Sequence, residues 1–237
     1  MTYSSSSPTR LDHRMKIKHI NFAVTYNCNS RCIHCNIWKR KPEGELTLAQ
    51  IKQSLIQDPL LKSLESVGIT GGEPFLRKDL IDICLSFSRA FPNVHIGVAS
   101  HGMTGLKITE RSLMIRDALP AGKFSMSISI DGLENEHDTV RGIPGAFEKT
   151  MQTVRALKAE GMNLCLSFTL TPSNFKSVMY VYELARETGV GFITRFAQNS
   201  PYYGNLEKNF TQDPSWVNEA TSLLNSVIGR ILETYDL

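Results

Sequence analysis

Read as a pattern of apolar and polar positions, the chain alternates short apolar runs with segments of helical spacing six times. The runs are Ile20 to Thr25, Ser66 to Thr70, Val94 to Ser100, Phe124 to Ile130, Leu164 to Leu170 and Gly191 to Phe196. Each has the length of one strand, and strands separated by helical patterns predict βα units and a parallel sheet. Thr47 with Gln50 forms a capping-box signature ahead of a helix over Leu48 to Leu55. Asp79 precedes Leu80, Ile81, Ile83, Cys84 and Phe87, an apolar face at helical spacing. Helices over Ala146 to Glu160 and Lys176 to Glu187 stop at Gly161 and Gly189, where a left-handed residue is wanted. Asp213 and Pro214 read as an N-cap and a first-turn proline opening a last helix. Right-handed crossovers then curl six parallel strands into an α/β fold, a partial (β/α)6 barrel.

Composition narrows this picture only a little. At 237 residues, with 41% hydrophobic and 21% charged positions, the chain suits one soluble barrel, and no apolar stretch reaches the ~20 residues that span a bilayer. Residues 1–15 read as a flexible polar tail without the apolar core of a secretory signal, so a cytoplasmic location is expected. Residues 16–212 read as the barrel, and 213–237 as a C-terminal helix that is the end of a minimal core or the start of a further extension. Five cysteines, three of them clustered, fit reduced thiols serving a metal better than a disulfide framework. A net charge of +3 is too slight to argue for nucleic acid. Basic residues gather at Arg14, Lys16, Lys18 and His19, and again at Lys39, Arg40 and Lys41, as a solvated surface or a rim that steers an acidic partner.

The candidate chemistry lies just after the predicted strands. Cys28, Cys32 and Cys35 form a CxxxCxxC after the first. Three thiolates can hold a [4Fe-4S] cluster with one iron left open to a ligand, since such clusters normally take four cysteines. A zinc ion bound by the three cysteines and His34 also fits that stretch. Gly71-Gly72-Glu73-Pro74 follows the second strand, Ser100-His101-Gly102 the third and Ser129-Ile130-Asp131-Gly132 the fourth. The C-terminal strand ends carry the working groups in barrels of this type, so all four segments are expected on one rim. The glycines allow a sharp turn and close backbone approach to a ligand, and Glu73 reads as an acceptor for an ammonium group.

Together these motifs resemble the radical S-adenosylmethionine superfamily, from about Lys16 to about Gln198. The resemblance implies that Cys28, Cys32 and Cys35 hold a [4Fe-4S] cluster whose open iron binds S-adenosyl-L-methionine. It implies that Gly71, Gly72 and Glu73 receive the methionyl ammonium and that Ser129 reaches the ribose or carboxylate. Arg141 would pair with the cofactor carboxylate, as suits a planar two-pronged donor. The backbone of His34 would lie near the adenine, although an aromatic residue is common there. Ser100 and His101 stand where relatives often show threonine and asparagine, so both are candidates for touching cofactor or substrate. For His101 a structural donor is the other reading, and for Asp131 a turn-forming carboxylate precedes a ribose contact.

The implied activity is reductive cleavage to a 5′-deoxyadenosyl radical that abstracts hydrogen from a small molecule or peptide, with a flavodoxin or ferredoxin as electron donor. The Ser129 and Arg141 segments resemble the sulfatase-maturating and peptide-modifying subgroup, which usually carries a cysteine-rich C-terminal extension. Here only Cys84 and Cys165 follow Cys35, and both read as small buried hydrophobes. Tyr202 and Tyr203 either line the substrate mouth or pack the last helix. The competing readings are a zinc-binding interaction module and an iron-sulfur scaffold or electron-transfer protein without turnover.

Overall fold

A computed structural model describes residues 16–208, 210 and 214–234. Its strands are β1 (His19–Thr25), β2 (Ser66–Gly71), β3 (His95–Ser100), β4 (Phe124–Ser129), β5 (Leu164–Leu170) and β6 (Gly191–Phe196). They form one parallel sheet in sequence order, and β1 and β6 each pair on one side only among the described residues. The architecture is the open partial barrel expected from the alternation of patterns.

The helices are α1 (Leu48–Ile51), α2 (Leu80–Ala90), α3 (Leu106–Ala118), α4 (Glu134–Arg141), α5 (Ala146–Ala159), α6 (Val178–Thr188) and α7 (Pro214–Thr234). Their apolar faces cover the outside of the sheet. Val67, Ile69, Ile96, Val98, Met126, Ile128, Leu166 and Phe168 are buried there with Leu80, Ile83, Phe87, Ile115, Val154 and Val181 of the helices. Burial of each such side chain contributes about 1.5–3 kcal/mol relative to exposure.

The opposite parity faces the barrel interior with Gly68, Gly97, Ala99, Ser125, Ser127, Ser129, Cys165, Ser167 and Thr169. Closed barrels fill this space with bulky branched side chains. Small and polar residues leave it partly empty, and that emptiness positions the site.

Most predicted boundaries hold within a residue, and the exceptions have local causes. The Thr47–Gln50 capping box forms, but the helix it opens changes at Lys52–Ile56 into a π-helical turn, closed by Gln57 N–H donating to Lys52 O at 3.2 Å. Asp58 then caps a 3-10 turn that begins at Pro59, whose ring cannot continue a helix. Val94 falls outside β3 because its N–H turns back to Phe91 O. Lys176 belongs to a 3-10 turn, so α6 starts at Val178. The apolar face after Asp79 forms α2 from Leu80, and the Asp79 carboxylate pairs with Arg77.

Helices α3 and α4 carry no predictive signal. Leu106 and Met114 of α3 are exposed, so its apolar residues do not line one face. In α4 the sequence Glu-Asn-Glu-His-Asp-Thr-Val-Arg holds a single aliphatic residue. Cys84 is buried in the core as expected, whereas Cys165 is half-buried on the inner face of β5. The predicted flexible tail and the Asp213 N-cap lie outside the described residues. None of the described helices is long and apolar enough to cross a membrane.

Candidate cofactor and substrate site

The loop carrying the three cysteines is held from three directions by hydrogen bonds to its backbone. On one side Gly72 N–H donates to Thr25 O at 2.7 Å and Glu73 N–H to Asn27 O at 2.8 Å. A Cβ on Gly72 would lie 2.3 Å from Asn27 O and 2.9 Å from Cys28 Cβ, so the glycine is required by the approach of the cysteine loop. On a second side, Arg31 N–H and Ile33 N–H donate to Arg141 O and Val140 O, the free carbonyls at the end of α4, each at 2.9 Å. Gly142 closes that helix at φ +64°, and a Cβ there would lie 2.7 Å from Arg31 O. On the third side, Asn36 N–H donates to Tyr203 O at 2.9 Å and Asn205 Nδ2 to His34 O at 2.8 Å.

These contacts place the loop over a cavity of about 400 Å³ at the C-terminal strand ends. Cys28, Cys32, Cys35, His34, Gly71, Gly72, Ser100, Ser129 and Arg141 all line it. Asp131, for which a ribose contact is the second expectation, does not line it, and neither does Glu73. The Glu73 side chain is fully buried and accepts from Phe75 N–H at 3.1 Å, Ser100 Oγ at 3.0 Å and His101 N–H at 2.9 Å. An internal carboxylate with these donors holds the ends of β2 and β3 together. In this structure the Glu73 carboxylate thus bonds within the protein, at the strand ends that frame the cavity.

Asp131 and Arg141 form a second buried unit. Arg141 Nη2 lies 2.6 Å from Asp131 Oδ2, and Asp131 Oδ1 accepts from Thr169 N–H at 2.9 Å. Burial alone would raise the Asp131 pKa, but Arg141, His34 and the Thr169 N–H hold it below the usual carboxylate value. Arg141 is held above its usual value by Asp131 and the neighbouring cysteines despite its burial. Its Nη1 donates to Cys32 Sγ at 3.4 Å, while its Nε is buried without a partner. The guanidinium expected to pair with the cofactor carboxylate is engaged at two of its three nitrogens, with Nε left over.

The histidines are similarly constrained. His101 Nδ1 accepts from Met103 N–H at 2.9 Å, so its proton sits on Nε2, 2.6 Å from Asn29 Oδ1 and 3.2 Å from Glu73 Oε2. Burial lowers its pKa, outweighing the attraction of Glu73. His101 also lines the cavity, and its ring serves there as a donor to Asn29. Burial lowers His34 to about 4, and its Nδ1 has no partner. Tyr203 reaches the cavity, while Tyr202 packs on Tyr26 and Tyr203 at ring separations of 6.1 and 4.9 Å.

The thiols fit a polynuclear metal group better than a single ion. Among the described residues no three Cys, His, Asp or Glu side chains converge on one ion position. A zinc site needs its thiolates about 2.3 Å from one metal, whereas a cluster spreads them over separate irons. Burial pushes Cys28 up to about 12 and raises Cys35, so as free thiols they stay protonated at neutral pH and would ionise only against a bound cation. The partnerless Arg141 Nε and His34 Nδ1 are polar groups that a ligand in the cavity can satisfy.

Sequence reading missed Asn21, Thr70, Ser167, Thr169 and Arg195, which also line the cavity. The usable signal was the alternation within each strand, since Ser167 and Thr169 alternate with Leu166, Phe168 and Leu170.

Comparison with known proteins agrees with this geometry. Residues 22–187 match the sequence model of the radical SAM superfamily. The AdoMet-dependent heme synthase of Methanosarcina barkeri is 29% identical over 178 residues, covering 72% of this chain and 47% of that protein. The pre-heme d1 synthase of Dinoroseobacter shibae is 29% identical over 89% of this chain and 50% of its own length. The sporulation killing factor maturation protein SkfB of Bacillus subtilis is 28% identical over 73% of this chain and 40% of its own. The chain thus spans about half the length, or less, of these curated relatives. Among solved structures, Streptococcus suis SuiB bound to S-adenosylmethionine superposes with a TM-score of 0.71 at 12% identity, over 91% of this chain and 48% of that one. That likeness is one of fold.

Proposed function

The chain belongs to the radical S-adenosylmethionine superfamily, and from that premise we propose that Cys28, Cys32 and Cys35 hold a [4Fe-4S] cluster at which S-adenosylmethionine is reductively cleaved, giving a 5′-deoxyadenosyl radical that takes hydrogen from a substrate. One observation carries this reading. The three thiols share a single cavity of about 400 Å³ with Gly71, Gly72, Ser129 and Arg141. An iron-sulfur scaffold or electron-transfer protein has no use for such a space beside its thiols.

Within the cavity, peptide oxygens of the Gly71-Gly72 turn receive the cofactor ammonium in place of the Glu73 carboxylate. Ser129 Oγ and Arg141 Nε, the guanidinium nitrogen without a partner, donate to the cofactor carboxylate. The His34 backbone flanks the adenine, and Ser100 supports the turn through Glu73. The walls also exclude water from the reacting carbon. Exposed Arg31, Lys39 and Lys41 beside the cysteine loop suit an acidic flavodoxin or ferredoxin as electron donor. The substrate is a small molecule or a peptide. Heme synthases stand among the relatives, and so do a peptide maturation protein and SuiB, whose structure bound to precursor peptide SuiA is a fold neighbour.

Anaerobic reconstitution tests the reading. The expected product holds about four irons per chain, and with S-adenosylmethionine and a strong reductant it forms 5′-deoxyadenosine. Cys28→Ala should lose the iron and Cys84→Ala should keep it. Colourless protein with stoichiometric zinc, or a fully loaded cluster that never yields the nucleoside, contradicts the proposal.

A further inference from the structure

Two arginines reach the cavity wall, and their circumstances are opposite. Arg141 is neutralised by Asp131 at 2.6 Å. Arg195 lies on the inner face of the edge strand β6, in register with Thr169, and its polar partner is the neutral Ser167 Oγ at 3.3 Å. No carboxylate stands within ion-pair distance of it among the described residues. The buried acids of the rim are already committed, Glu73 to β3 and Asp131 to Arg141. The cavity wall therefore carries one uncompensated positive charge, at its exposed edge.

We propose that Arg195 is the anchor for a carboxylate of the substrate, so that the substrate class is carboxylate-bearing molecules. The assignment of the ligand as substrate rests on the radical S-adenosylmethionine reading, in which the cofactor carboxylate goes to Ser129 and Arg141. A guanidinium matches a carboxylate with two parallel N–H bonds, which fixes the orientation as well as the position of the acid. Asn21, on the other edge strand, and Thr169 line the same cavity and add neutral polar groups. Position matters as much as charge here. An anchor at the open edge between β6 and β1 leaves the deeper space beside the cysteines for the cofactor, and it is reached from solvent because Arg195 is exposed. The carboxylate can belong to a small acid or to an acidic side chain of a peptide, since both present the same group.

Calorimetric titration of the reconstituted protein, with S-adenosylmethionine bound, provides the test. The probes are glutarate, its dimethyl ester, and a blocked Ala-Glu-Ala peptide beside its Ala-Gln-Ala counterpart. Wild type should bind at least one acid at millimolar concentration and bind its neutral counterpart about tenfold or more weakly, with the better acid identifying the source. Arg195→Gln should weaken the acid about ten- to a hundredfold and leave the neutral probe unchanged, and Arg195→Lys should fall between. Far-ultraviolet dichroism and iron content should match wild type in both variants. The proposal is overturned by failure of wild type to bind either acid, by equal binding of acid and neutral probe, or by acid binding unaltered in Arg195→Gln. Affinity for S-adenosylmethionine should stay within about twofold in Arg195→Gln. A tenfold loss there would assign Arg195 to the cofactor and overturn the substrate role. Acid binding through Arg195 in a protein that never binds S-adenosylmethionine would instead retain the anion site and reject the cofactor reading.

Discussion

At the β4 side of the rim, charge is buried and answered from within, whereas at the β6 side it is exposed and answered only by a hydroxyl. Asp131 there is fully buried, with Arg141, Thr169 N–H, Asn174 and His137 around it. Arg195 has Ser167 and open solvent. A buried charge without a partner costs several kcal/mol, so the first region must be assembled completely to exist at all. The second carries no such demand, and its charge is free to serve a ligand. The difference separates side chains that build the site from side chains that face what enters it.

Breaking the built side should give the largest effect. Asp131→Ala leaves Arg141 buried and uncompensated and removes the acceptor of Thr169 N–H, with an expected loss of about 3–5 kcal/mol, measurable as a fall in the urea midpoint or as insoluble protein. Wild-type stability in that variant would mean that Arg141 has another counter-charge. Glu73→Gln comes next, because a neutral amide replaces a carboxylate that accepts from Ser100 and two backbone N–H groups. The expected loss is about 1.5–3 kcal/mol, and an unchanged midpoint would contradict the structural role assigned to Glu73.

The pH dependence sharpens the comparison further. Burial, with help from Arg141, holds the His137 imidazole down to about 3 in the folded chain, against about 6.5 when unfolded. As pH falls, the unfolded chain takes up that proton first, so the stability is complete above about pH 6.5 and is lost at up to about 1.4 kcal/mol per pH unit below it. His137→Gln should reduce this slope without abolishing it, because the His34 and His101 pKa values are lowered in the same direction. An identical profile in the variant would remove His137 as a source of acid sensitivity. The smallest effect belongs to the exposed side, where Arg195→Ala should change stability by no more than about 0.5 kcal/mol. A larger drop in its urea midpoint would show that Arg195 is structural and would erase the contrast.

The strand ends and the common rim were legible because they depend on local chemistry. Apolar runs of strand length, a CxxxCxxC after the first and glycine-rich exits from the next strands are properties of neighbouring residues, and β5 and β6 agree with the reading to the residue. Helices α3 and α4 were not legible, since exposed Leu106 and Met114 blur one apolar face and α4 is held by contacts rather than by pattern. Asp131, Arg141 and Glu73 were each named from the sequence, but their partners were not. Asp131 meets Thr169 across 38 positions, and Glu73 meets Ser100 across 27.

The order and type of the strands, the three thiols and the family were thus readable along the chain. Which charges are answered inside the protein, as at Asp131 and Arg141, and which are left facing solvent, as at Arg195, became visible only after folding. A side chain's solvation and ion pairing are set by groups that folding brings within a few ångströms, and linear spacing carries no record of those distances.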